Sequence, residues 1–179
     1  NAVYVYIDRR KKFPATTLLR ALGFNSDEEI LKLFNLVETI KVKKTKIENY
    51  IGRTIASDVF DFSTGEIFLS KDSILSEADV ERLQEAEVEE LKFISSETSP
   101  DQDLVVNTIR KDTSHNREEA LLAIYRQLRS GEAPDLDTAS ALIEKLFFND
   151  KRYDLGDVGR HRMNDKLKLK VDEKITAAF

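Results

Sequence analysis

At 179 residues, 41% of them hydrophobic and including ten Phe and five Tyr, the chain holds enough apolar material for one domain, or for a domain with a small insert. Charged residues make up 34% and the net charge is −5, so much of the surface is solvated and the chain as a whole is no general polyanion binder. No run approaches the roughly eighteen apolar residues of a membrane span and no signal peptide is read, while the lack of cysteine removes disulfides, thiolate metal sites and Cys nucleophiles together and fits a cytoplasmic protein.

Val3-Tyr4-Val5-Tyr6-Ile7 predicts an opening strand. It stands at the edge of the sequence, and the only methionine is Met163, so the chain reads as a fragment whose strand neighbour lies in sequence beyond it. Asp8-Arg9-Arg10-Lys11-Lys12 is a polar charge run closed by Phe13-Pro14. Proline suits a first helical turn, because its missing N–H has no partner there. A short helix is expected through Thr16, Leu18, Leu19, Ala21 and Leu22, stopping at Gly23. Ser26, with Glu29 three residues on, is a capping box. The helix it starts is expected to present Ile30, Leu31, Phe34 and Val37 on one side.

The middle is different in charge and pattern. Residues 1–50 carry ten Lys and Arg against six acids, residues 51–107 four against fourteen, and residues 108–179 fourteen against thirteen. Residues 51–62 and 66–70 are β-prone around Ser63-Thr64-Gly65, a hairpin signal. Ser76 to Asp79 caps a helix through Val80, Leu83 and Ala86, and Leu91 to Ile94 reads as a strand. Together they predict a compact ββαβ module over 51–97, inserted into a domain formed by 1–50 and 104–169. Polar residues 98–103 form a linker and 170–179 a tail. Nucleic acid is expected to avoid the acidic module.

From Asn116 the pattern turns helical, with Ala120, Leu121, Ile124, Tyr125 and Leu128 on one stripe and a stop at Ser130-Gly131. A second helix from about Asp137 carries Ala139, Leu142, Ile143, Leu146 and Phe147, and the short connection predicts an antiparallel pair. Arg152 to Gly156 is a turn, and Val158 to Leu167 a further helix. The fold class expected is α+β, a helix-rich lobe with a few short strands and the inserted module.

By residue type, the sequence offers no catalytic constellation. His115 and His161 lie 46 residues apart among polar neighbours and read as surface histidines. Asp58, Asp61 and Glu66 surround the hairpin but lack the alternating ladder and distal Glu of a calcium loop. No phosphate-cradling glycine loop, dinucleotide turn, nucleophile elbow or paired-histidine zinc motif occurs. The isolated chain is expected to have no activity. The run Arg9-Arg10-Lys11-Lys12 reads first as a solvated loop and second as a phosphate-contacting patch.

Three stretches carry a specific likeness: residues 5–23 around Ile7-Asp8-Arg9-Arg10-Lys11-Lys12, residues 124–134 around Tyr125-Arg126-Gln127-Leu128-Arg129-Ser130-Gly131, and residues 146–160 from Leu146-Phe147-Phe148 through Arg152-Tyr153-Asp154-Leu155 to Val158-Gly159-Arg160. In this order and spacing they resemble the lobe of the bacterial RNA polymerase β subunit, strongly over 3–50 and 104–169. The acidic middle, with Thr64-Gly65-Glu66 at its hairpin, is similar to small modules inserted in that lobe on its outer surface. The resemblance implies a wall of the main cleft touching downstream DNA and the non-template strand, with a pocket for an unstacked base. By motif match Asp8, Arg9, Arg129 and Arg152 correspond to pocket residues. Arg10, Lys11, Lys12 and Arg160 are implied as DNA-backbone contacts or intramolecular partners. The resemblance also implies that nucleotidyl transfer and its magnesium belong to another subunit, with no cofactor here. Implied partners are DNA, the β′, α and ω subunits and sigma factor, with transcription factors at the insert as the alternative role and no membrane.

Overall fold

Alternation and capping residues fix most elements locally. The computed structural model describes residues 1–7, 11–83, 86, 88–95, 100–131, 133, 135–149, 151, 154–172, 174 and 175. In chain order they form β1 (Tyr4–Ile7), β2 (Lys11–Pro14), α1 (Ala15–Ala21), α2 (Asp27–Leu33), β3 (Val37–Lys41), two 3₁₀ turns (Val42–Lys44 and Ile47–Tyr50), β4 (Val59–Phe60), β5 (Ile67–Leu69), α3 (Glu77–Leu83), β6 (Glu90–Ile94), α4 (Pro100–Lys111), α5 (Arg117–Leu128), α6 (Leu136–Phe147) and α7 (Gly156–Leu167). The fold is α+β, with its described strands in three antiparallel pairs: β1 with β2, β3 with β6, and β4 with β5.

The neighbour of β1 is in the chain itself, which corrects the expectation that it lies beyond it. Lys11 to Pro14 folds back with Val5 opposite Phe13, Tyr6 opposite Lys12 and Ile7 opposite Lys11. The charge run hid a two-residue alternation: Phe13 is buried with Ile7 while Lys12 faces out. Pro14 closes the strand and caps α1, which stops at Gly23, at a φ of +126° that favours glycine. The Ser26 capping box forms as read, and Ile30 and Leu31 are buried. The same helix does not extend to Val37, however. Asn35 turns left-handed (φ 55°), Phe34 is 47% exposed, and Val37 opens β3.

The acidic middle forms its own core, and that core draws in residues ahead of 51. Ile40 of β3 is buried with Ile55, Leu75, Leu91 and Phe93, and Val42, Ile47 and Tyr50 pack against them. Tyr50 stacks on Phe93 with centroids 5.1 Å apart. The stretch read as linker turns helical at Pro100, the start of α4, whose Val105, Val106 and Ile109 pack with Ile30 and Leu31 of α2. A third core joins the β1–β2 hairpin, α1, α5 and α6 through Phe13, Ala21, Leu121, Ile124, Tyr125 and Ile143. No helix among the described residues is long and apolar enough to cross a membrane.

Candidate nucleic-acid interface

The hairpin sorts its side chains by strand alternation. Val5, Ile7 and Phe13 point into the core shared with α5, while Tyr6, 64% exposed, and Lys12 form an outward cross-strand pair. The Lys12 ammonium sits 4.0 Å from the centre of the Tyr4 ring, a cation–π contact on that same outer face. Lys11 is half-buried beside Ile7. Asp8, Arg9 and Arg10 connect the two strands in sequence and lie outside the described residues, as does Arg152.

Arg129 follows the last turn of α5, whose Leu128 packs against the core that holds Val5, Ile7 and Phe13. Its backbone N–H donates to Tyr125 O at 2.8 Å and its side chain is exposed. The hairpin cations and Arg129 thus rise from one packed body. Arg160 differs. It is 4% exposed, donates from Nε to Ile175 O at 2.6 Å, and contacts Met163 Sδ at 3.6 Å. Of the two roles implied for Arg160, its contacts are those of an intramolecular partner. His115 and His161 are exposed.

A buried polar network that the sequence reading did not identify holds this body together. Asp112, at the end of α4, accepts from Thr16 Oγ1 (2.6 Å), Thr17 Oγ1 (2.8 Å), Ser114 N (2.9 Å) and Ser114 Oγ (2.6 Å). Arg20, 1% exposed, donates Nε to Asp112 Oδ2 at 3.4 Å and Nη1 to Asn25 O at 2.9 Å, and its Nη2 pairs with Asp27. Lys71 of the acidic module pairs with the same Asp27. Burial pushes the Asp112 carboxyl up, and the hydrogen bonds from Ser114, Thr16 and Thr17 outweigh it, holding it below the ordinary carboxylate range. Burial opposes ionisation of Asp27 too, and Lys71 and Arg20 outweigh it in the same direction. Val3 N–H donates to Thr108 Oγ1 at 2.9 Å, and Ala15 N–H to Val3 O at 3.0 Å, so both ends of the hairpin are tied down beside α4.

The signal for this network was present as spacing. Thr16, Thr17 and Arg20 fall on one turn of α1, and Asp112 with Ser114 forms a turn that could satisfy them. Tyr4 and Tyr6 could have been found by the same alternation that marks β1. Among the described residues no three His, Cys, Asp or Glu group to hold a metal ion.

The family model described as RNA polymerase Rpb2, domain 2, matches residues 88–179. The DNA-directed RNA polymerase subunit beta of Chlorobium luteolum is 44% identical over 177 residues, covering 97% of this chain and 14% of that protein. The subunit beta of Flavobacterium johnsoniae is 43% identical over 188 residues (96% and 15%), and that of Salinibacter ruber 43% over 193 residues (96% and 15%). The chain therefore spans about one-seventh of the length of these curated relatives.

Proposed function

The chain belongs to the DNA-directed RNA polymerase β-subunit family, and from that premise we propose that it serves DNA-templated transcription as part of the main-channel wall. In this reading it touches downstream DNA and the non-template strand and supplies no catalytic group. The observation that carries the reading is the single core beneath the β1–β2 hairpin and the last turn of α5, at whose surface Lys12 and Arg129 are exposed and Lys11 is half-buried.

The side chains divide the work by type. Lys11 and Lys12 neutralise phosphates, which gives affinity without sequence preference. Arg129, with Asp8, Arg9 and Arg152, forms the pocket for an unstacked base, where guanidinium groups stack or donate and the carboxylate accepts from a base amine. Tyr6 adds an exposed ring beside Lys12, the pairing of aromatic face and cation that suits single strands. Arg160 anchors α7 to the residues after it and stays out of the interface. Nucleotidyl transfer and its magnesium belong to the assembled enzyme, in which this chain works beside the β′, α and ω subunits and sigma factor by positioning and charge.

Arg129→Ala and Arg9→Ala, introduced separately into the β subunit of an assembled polymerase, test this. Each is expected to shorten the open-complex lifetime about tenfold, as measured after challenge with a DNA competitor, because one stacking or phosphate contact is lost. RNA extension on a preformed scaffold is expected to stay unchanged. Two variants with parental lifetimes would overturn the pocket.

A further inference from the structure

A second surface, on the acidic module, takes no part in the proposed contact with nucleic acid. Residues 54–56 run beside β6, where Ile94 N–H donates to Thr54 O at 2.9 Å and Ala56 N–H donates to Lys92 O at 2.8 Å. Beyond Ala56 the chain leaves β6 and pairs with β5 as β4. The diverging strands open a groove of about 240 Å³, with Val59, Phe60 and Phe62 on one bank and Val88, Glu89 and Glu90 on the other.

Two features say what would fill it. Phe60 is 51% exposed and Phe62 72%, with Ile67 of the facing strand at 54%, so large apolar side chains are gathered around one hairpin with nothing over them among the described residues. The rim is acidic, because Asp58, Glu89 and Glu90 are all exposed. The one lysine lining the groove, Lys92, is engaged with Glu28 at 2.8 Å. Lys41 stands opposite Glu90 across β3 and β6 and offsets one of the three carboxylates.

We propose that this groove docks an extended, basic segment of a protein partner. An aromatic or aliphatic side chain of that segment lodges between Phe60, Phe62 and Val88. In that segment Lys or Arg residues, which meet Asp58, Glu89 and Glu90 on the rim, alternate with the apolar side chains that enter the groove. The same carboxylates repel a phosphate backbone, so the groove and the hairpin cations select opposite partners.

The probe is a short peptide alternating Lys with Phe and Val, titrated into the 179-residue chain and followed by amide NMR shifts and fluorescence anisotropy. Saturable binding is expected, with shifts confined to residues 57–62 and 88–92 and weakening as salt rises. Phe62→Ser should weaken binding about tenfold through loss of an anchor, and the pair Glu89→Lys with Glu90→Lys by as much or more. Phe62 is mostly exposed, so thermal unfolding of that variant should match the parent. The proposal is overturned if an Asp-for-Lys version of the peptide binds equally, if Phe62→Ser binds like the parent, or if no saturation occurs. It is overturned as well if a thiol introduced by Phe62→Cys reacts freely in the isolated chain but is shielded in an assembled polymerase, because the enzyme's own parts would then fill the groove.

Discussion

Arg20 and Asp112 are the two charges on which the interface body rests. Each is 1% exposed at its side chain, and each has its hydrogen-bonding capacity met by Thr16, Thr17, Ser114, Asn25 and Asp27. Removing Asp112 leaves Arg20 with Asp27 as its remaining acid and takes the buried acceptor from the Thr16, Thr17 and Ser114 hydroxyls. Asp112→Ala is therefore expected to lower unfolding free energy by about 3–5 kcal/mol in urea titrations, against about 1 kcal/mol for Thr17→Ala, which removes a single neutral donor. The pH dependence has a definite sign. Asp112, Asp27 and Glu28 all have carboxyls held below their ordinary values in the fold. Their contribution is complete above the unfolded value and is lost as pH falls through it toward the lowered folded value. Stability should thus decline on acidification through roughly pH 4 and below. The Asp112→Ala chain, lacking the group that titrates, should lose less over that range, so the gap between variant and parent narrows in acid. A gap independent of pH would mean that Asp112 is not held ionised by its neighbours.

Elements that carry their instructions locally were legible, and those that depend on distant partners were not. The Ser26 box closes within four residues: Ser26 Oγ accepts from Glu29 N at 3.2 Å, and the Glu29 carboxylate turns back toward Ser26 N. Ser26→Ala is expected to cost about 1 kcal/mol, read as a lower midpoint in urea. The stripe of α5 and the hairpin around Gly65 were equally visible, as was that of α6 except for Leu146, which is exposed instead of joining Ala139, Leu142, Ile143 and Phe147 in the core. By contrast, β3 is a strand because β6 lies beside it, with Val37 opposite Ile94 across a wide sequence gap, and five residues of mixed polarity announce no such pairing. β2 was masked by two lysines and a proline, and α4 by its polar first turn, 100–103. The first turn of α2 also binds the acidic module, through Asp27 with Lys71 and Glu28 with Lys92. These contacts join residues some forty or more positions apart, beyond the reach of any local motif.

At the scale of the whole molecule, charge is distributed unevenly along the chain. The motifs read from the sequence named the hairpin, the end of α5 and the 146–160 stretch as the site. The structure gives the first two a common core, draws Arg160 inward, and sets Tyr4 and Tyr6 on the same outer face as Lys12. Against this stands a net charge of −5 and a module rich in acids. The isolated chain should accordingly bind duplex DNA weakly, with a dissociation constant on the order of 10⁻⁴ M or weaker at physiological salt, because so few phosphates are neutralised. If Lys11, Lys12 and Arg129 are the contacts, each contributes one released counterion, and the logarithm of affinity should fall with that of salt at a slope near −2.7. Anisotropy titrations across a salt series measure both quantities. Lys12→Ala should make that slope shallower by about one, whereas substituting Lys41, which ends β3 in a different core from the hairpin and stands opposite Glu90, should leave it unchanged. Tight, sequence-selective binding by the isolated chain, or a slope indifferent to Lys12, would mean that DNA is held by some other surface. The shared core beneath the hairpin and α5 would then serve only to pack the two together.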